Sequence, residues 1–187
     1  MKSCILYPFL YHLNFSTSYM WALEFARKIN LPLTLVTIVS AKYSWREKKA
    51  CSHALMNTRN TVVRSFNIAQ PGISPPAKRV CLKAEGASPI EEFAPQLSRF
   101  AEHQADAILI LPPNLFSTPE RNQLIDCSYS TIVLPEDIDM AIDSSPEKFY
   151  EIFSSSDHFK MPDTVLHALS KDRVLFNYFT SVFGRRD

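Results

Sequence analysis

The stretch Leu33-Thr34-Leu35-Val36-Thr37-Ile38-Val39 is apolar or β-branched at every position. No other feature of the chain constrains its fold as much. A strand with one face in water alternates polar and apolar residues, whereas an unbroken run implies burial on both faces, as in a parallel sheet covered by helices. Ala107 to Leu111 repeats the pattern and is the clearest buried strand. Cys4 to Tyr7 is a shorter version stopped by Pro8, and Thr131 to Leu134 is another closed by Pro135. Arg79 to Lys83 reads as a short strand centred on Val80 to Leu82.

The segments between these runs have the helical period. Ser16 or Thr17 can cap a helix whose inner face is Ala22, Phe25, Ala26 and Ile29, with Asn30 and Pro32 ending it. Ser44-Trp45-Arg46-Glu47 has the S-x-x-E form of a capping box and opens a long helix to about Asn67, with Leu55, Met56, Val62, Val63 and Phe66 inward. Pro71, Gly72, Pro75 and Pro76 form a stiff loop. Ser88-Pro89-Ile90-Glu91 is a second box, followed by Ile90, Phe93, Ala94, Leu97 and Ala101 at helical spacing. Pro95 interrupts that pattern and leaves two readings open: a helix bent at Pro95, or one that begins nearer to it. Thr118-Pro119-Glu120 opens a further short helix. The order β-α-β-α-β-α-β-α-β, with right-handed crossovers, predicts an α/β fold: an open, doubly wound parallel sheet of five strands with helices on both faces.

The 187 residues suffice for one complete core. A net charge of +1 supplies no global field, so neither a nucleic acid nor a membrane is the expected partner. The apolar runs fall far short of the ~18 residues of a membrane span. The amino-terminal residues read as a first strand rather than a signal peptide. Cys4, Cys51, Cys81 and Cys127 are scattered without a CxxC pair, as for free thiols in a reducing cytoplasm. Two regions are expected: residues 1–135, and an extension over 136–187. The extension opens with eight acidic residues between Glu136 and Asp163 against Lys148 and Lys160, then continues with an amphipathic helix or helix pair carrying Val165, Leu166, Leu169, Val174, Leu175, Tyr178, Phe179, Val182 and Phe183.

Over residues 1–135 the chain resembles the universal stress protein family. Cys4-Ile5-Leu6-Tyr7-Pro8 is similar to that family's first strand and terminal proline. Ala22-Leu23-Glu24-Phe25-Ala26 is similar to its first helix, and Leu33-Thr34-Leu35-Val36 to its second strand. Asp106-Ala107-Ile108-Leu109-Ile110 and Thr131-Ile132-Val133-Leu134-Pro135 are similar to its last two strands. The resemblance implies strand order 3-2-1-4-5 and a homodimer paired through the last strand, Thr131, Ile132, Val133 and Leu134. It also implies where a nucleotide would sit, and there the chain departs from the pattern. The acidic residue that follows the first strand in nucleotide-binding members is replaced by Phe9-Leu10. Their glycine-rich phosphate loop is replaced by Pro112 to Ser128, which contains no glycine. The resemblance is thus to the branch that does not bind ATP by the usual site.

Candidate site residues follow from the topology. Open α/β sheets bind ligands at the carboxyl ends of the strands where the order reverses. Here that places Phe9, Leu10, Asn14, Ser16, Val39, Ser40, Pro112, Pro113 and Asn114 around the cleft. They suit a small, largely uncharged ligand, or else simply fill the cleft. His12, His53, His103, His158 and His167 show no metal-ligating spacing, and no catalytic set or cofactor is expected. A reactive thiol at Cys127 is disfavoured by the adjacent Asp126, whose carboxylate would oppose rather than favour the thiolate. Arg46, Lys48, Lys49, Arg59 and Arg64 against Glu47 give one helix a local excess of positive charge. That excess reads as a solvated face or as a partner for the acidic 136–163 segment. The expectation is a cytoplasmic, stress-related binding or regulatory protein without enzymatic activity. Two alternatives stand beside it: nucleotide binding at an unconventional site, and an adaptor that docks a protein partner through the 165–183 stripe.

Overall fold

The computed structural model describes residues 4–10, 16–29, 31–69, 77–86, 88–104, 107–127 and 129–134. The helical extension expected over 136–187, the stiff loop at Pro71 to Pro76, and His12, Asn14, His158 and His167 lie outside the described residues. Among the described residues five strands and four helices alternate: β1 (Cys4–Pro8), α1 (Ser16–Ile29), β2 (Leu33–Ser40), α2 (Trp45–Ala69), β3 (Ala77–Ala84), α3 (Pro89–Glu102), β4 (Ala107–Leu111), α4 (Thr118–Ile125) and β5 (Ser130–Val133). All strand pairs are parallel, and the order across the sheet is β3-β2-β1-β4-β5. The chain steps outward from β1 to β3 and then returns to continue on the other side. Right-handed crossovers therefore put α1 and α2 on one face and α3 and α4 on the other.

The unbroken apolar runs are buried as their composition requires. Every residue of β1, β2 and β4 is buried. On one face Trp21 and Phe25 of α1 stack with ring centroids 5.4 Å apart. On the other, Phe93 of α3 meets Phe116 of the segment after β4 at 5.4 Å. These contacts belong to one continuous core that runs through the sheet and includes Phe9, Leu10 and Leu115. Removing a side chain such as Phe93 from such a core costs about 3–5 kcal/mol.

Two local expectations are corrected. The third strand is eight residues long rather than five, and it pairs with β2 from Leu33↔Ala77 to Ser40↔Ala84. Its charged residues hid its length, because they belong to an edge that one neighbour fully pairs. The helix α3 does begin at Pro89 and runs through Pro95, so the reading in which it starts nearer Pro95 is excluded. Its expected box does not form, since Ser88 makes no side-chain capping bond. Glu92, one residue beyond the expected Glu91, turns back instead and accepts from the Glu85 and Gly86 backbone N–H groups. Gly86 permits this approach, because a Cβ there would run into the Glu92 carboxylate.

Candidate functional site

The carboxyl ends of β1, β2 and β4 bring the expected cleft residues together, but as packed structure. Phe9 and Leu10 are 2% and 4% exposed. The Phe9 backbone N–H donates to Val36 O at 2.8 Å, which fixes the chain leaving β1 along β2. Val39 and Ser40 are buried at the end of β2, and the Ser40 hydroxyl accepts from the Lys42 N–H at 3.1 Å. Pro112 is buried, Pro113 is half-buried and Asn114 is exposed. Asn14 lies outside the described residues; Ser16 is the first residue of α1.

The turn after β4 shows how this chain dispenses with glycine. Asn114 has φ 58°, the left-handed region that a loop usually fills with glycine. Asparagine tolerates that conformation better than other residues with a Cβ. The turn then passes into α4, where the Ser117 backbone N–H donates to the Glu120 carboxylate at 2.8 Å and the Ser117 hydroxyl donates to the same oxygen at 2.6 Å. The carboxylate thus occupies the start of α4.

Below the cleft, the Tyr7 hydroxyl and the Ser18 hydroxyl are 2.8 Å apart and the Tyr7 and Tyr19 rings meet at 5.4 Å. Burial pushes the Tyr7 phenol well above its ordinary value, so it stays neutral and serves as a tie between β1 and α1. Cys127 is half-buried, with Sγ 3.2 Å from Ser98 Oγ, and donates to Gln123 O at 3.2 Å. His53 is exposed, and the His103 ring bonds the Arg99 carbonyl at 2.6 Å at the end of α3. Among the described residues, no group of three or more His, Cys, Asp or Glu side chains could hold a metal ion. No described helix is long and apolar enough to cross a membrane.

A second constellation was not legible in the sequence. A cavity of about 560 Å3 opens between α2 and the β2–β3 edge. Its lining is Thr37 and Val39 of β2, Lys48, Cys51 and Ser52 of α2, and Lys78, Arg79, Val80, Cys81 and Lys83 of β3. The register explains the convergence. Thr37 pairs with Cys81 and Val39 with Lys83, so Arg79, Cys81 and Lys83 share the α2 face of the sheet. Burial, and then the nearby Cys51, push the Cys81 thiol above its ordinary value, against the pull of Lys83 and Lys48. The cations lie about 30 positions apart in sequence, on two elements, and only strand register reveals that they share a cavity.

β5 is the other edge of the sheet. Ser130, Thr131, Ile132 and Leu134 are buried, and Val133 is half-buried. The Leu134 N–H donates to Leu111 O at 3.0 Å, so the ladder to β4 extends one residue past the strand. By alternation the N–H groups of Thr131 and Val133 point away from β4. A comparison of the sequence with protein-family models and with curated proteins finds no match.

Proposed function

We propose that this chain is a cytoplasmic, stress-related binding or regulatory protein of the universal stress protein type, without enzymatic activity, in which the nucleotide cleft has been converted into core. The observation that carries this reading is the burial of Phe9 and Leu10 in the continuous core at the switch point. A nucleotide there would have to displace two large apolar side chains, and the turn at Pro112 and Pro113 offers no N–H donors at those residues. Val133 and Thr131 direct their N–H groups outward, which suits pairing with a second copy through β5 and supports the homodimer that the resemblance implies.

Photolabelling with an azido-ATP at millimolar concentration, followed by peptide mapping, tests the cleft. The expected result is no label in residues 4–10, 33–40 or 107–117. Saturable labelling of those peptides would overturn the reading. Val133→Pro tests the dimer, because it removes an outward N–H and leaves the β4 ladder intact. Sedimentation should show a dimer for the parent chain and a monomer for the variant; a monomeric parent would sink the dimer proposal.

A further inference from the structure

We propose that the cavity between α2 and the β2–β3 edge is a binding site for a small organic phosphate. Three cationic side chains, Lys48 of α2 and Arg79 and Lys83 on the α2 face of β3, converge on it, and among the described residues no carboxylate lines it. The ion pair of Arg27 with Glu24 involves no residue of this lining. Like charges gathered around one concavity repel each other and raise the local potential for an anion. Charged residues on an edge strand also serve to discourage pairing with other strands. That role accounts for Lys78, Arg79 and Lys83, but not for Lys48. Lys48 comes from a different element and is held in place by donating to the Ala41 carbonyl at 3.0 Å, which leaves its other N–H groups for a ligand.

The chemistry of the lining selects the ligand class. A compact anion facing three cations needs about two to three negative charges, and an organic monophosphate or diphosphate supplies them with three or more acceptor oxygens. Arg79 offers the planar fork suited to such oxygens, and the lysines act as point charges. Val39 and the Thr37 methyl group provide an apolar floor for an organic portion, so inorganic phosphate alone would leave part of the cavity unused. The volume lies within the range of small-molecule pockets. The site differs from the switch-point cleft: apart from Val39 it shares none of that cleft's residues, and it stands or falls independently of the reading given to the cleft.

Cys81, exposed and on the cavity wall, reports occupancy. The experiment measures the rate of Cys81 alkylation by mass spectrometry on the full chain, with ADP, pyrophosphate or sulfate added, and repeats it on Arg79→Glu/Lys83→Glu. Both replaced residues are exposed, and circular dichroism confirms that the variant is folded. The expected result is protection by ADP about tenfold or more stronger than by sulfate, with pyrophosphate between, and loss of protection in the variant, as the loss of charge-assisted bonds implies. Three results would overturn the proposal: an unchanged alkylation rate at millimolar ADP, equal protection by sulfate, or protection that survives the double charge reversal. Because the readout is at Cys81, a nucleotide bound at the β1–β4 cleft would leave it unchanged and would not be mistaken for this site.

Discussion

The two edges of the sheet solve the same problem in opposite ways. Each is a strand with one hydrogen-bonding side unpaired by a neighbouring strand of the sheet. β3 meets water with Lys78, Arg79, Cys81 and Lys83, all exposed. β5 buries Ser130, Thr131 and Ile132 to 2% exposure or less. Charge protects the first edge, because burying a lysine against another strand is costly; the second buries its side chains and keeps the outward N–H groups proposed above to pair with a second copy. The contrast teaches that a doubly wound sheet need not be symmetric in its tolerance. One edge is free to vary and to recruit ligands, while the other is tied into the core.

Placing a carboxylate on each edge gives the largest expected difference. Ile132→Asp buries a charge at a site with 0% exposure and is expected to destabilise the chain by more than about 3 kcal/mol, enough to unfold a marginal domain. Cys81→Asp puts the same group among Lys48, Arg79 and Lys83 and is expected to change stability by less than about 1 kcal/mol. Urea denaturation of both variants measures the difference. Similar losses at the two positions would break the comparison.

The next test contrasts the filled cleft with the open rim of the cavity side. Phe9→Ala removes a large side chain that is 2% exposed and is expected to cost about 3–5 kcal/mol. Trp45→Ala, at the start of α2, removes one that is 71% exposed and meets Lys49, whose Nζ lies 4.9 Å from the ring centroid. Its cost is expected to be no more than about 1 kcal/mol. Thermal melts of the two proteins compare them directly. If Phe9→Ala is nearly neutral, the side chain is not core and the cleft is not filled.

These contrasts also show how far the sequence could be read. β2 and β4 were legible because unbroken apolar runs admit few other arrangements, and β4 falls on the expected Ala107–Leu111. Strand order came with the resemblance rather than with the residues. β3 was legible only from Arg79 to Lys83: Ala77, Lys78 and Ala84 look like loop until β2 pairs with them. The cleft residues were identified by topology, but whether Phe9 and Leu10 face a ligand or the core depends on the packing around them, which local sequence does not state. The cationic cavity was hidden for a related reason. Counting charges along α2 grouped Lys48 with Arg59 and Arg64, while register groups it with Arg79 and Lys83.

A smaller effect is expected at the turn that replaces a glycine loop. Asn114→Ala keeps a Cβ at φ 58° without the asparagine's tolerance and is expected to cost about 1 kcal/mol. Asn114→Gly removes the steric conflict and should change stability by only a few tenths of a kcal/mol, since the relief is offset by greater freedom of the unfolded chain. Denaturant titration of the pair decides whether the left-handed conformation is a true constraint. Equal stabilities would mean that the turn relaxes to accept alanine.

The smallest effect separates two helix starts that look alike in sequence. Ser44 and Glu47 form a reciprocal box: the Ser44 N–H donates to the Glu47 carboxylate at 2.7 Å, and the Glu47 N–H donates to Ser44 Oγ at 3.3 Å. Ser88 and Glu91 have the same spacing without the bonds, because Glu92 holds the preceding loop instead. The Ser44 side chain first, and then its backbone, lower the Glu47 carboxyl below the usual carboxylate range. A carboxyl lowered on folding contributes stability that is fully present above its unfolded value and is lost as pH falls through the folded value. Glu47→Gln should therefore weaken the chain slightly at neutral pH, and the difference from the parent should vanish at acid pH below the lowered carboxyl. Glu91→Gln lacks that box contribution and should follow the parent more closely across the same window. Chemical denaturation at matched pH values compares them. A pH-dependent loss of equal size in Glu91→Gln would show that general first-turn charge, rather than the bonded box, sets the stability of these helix starts.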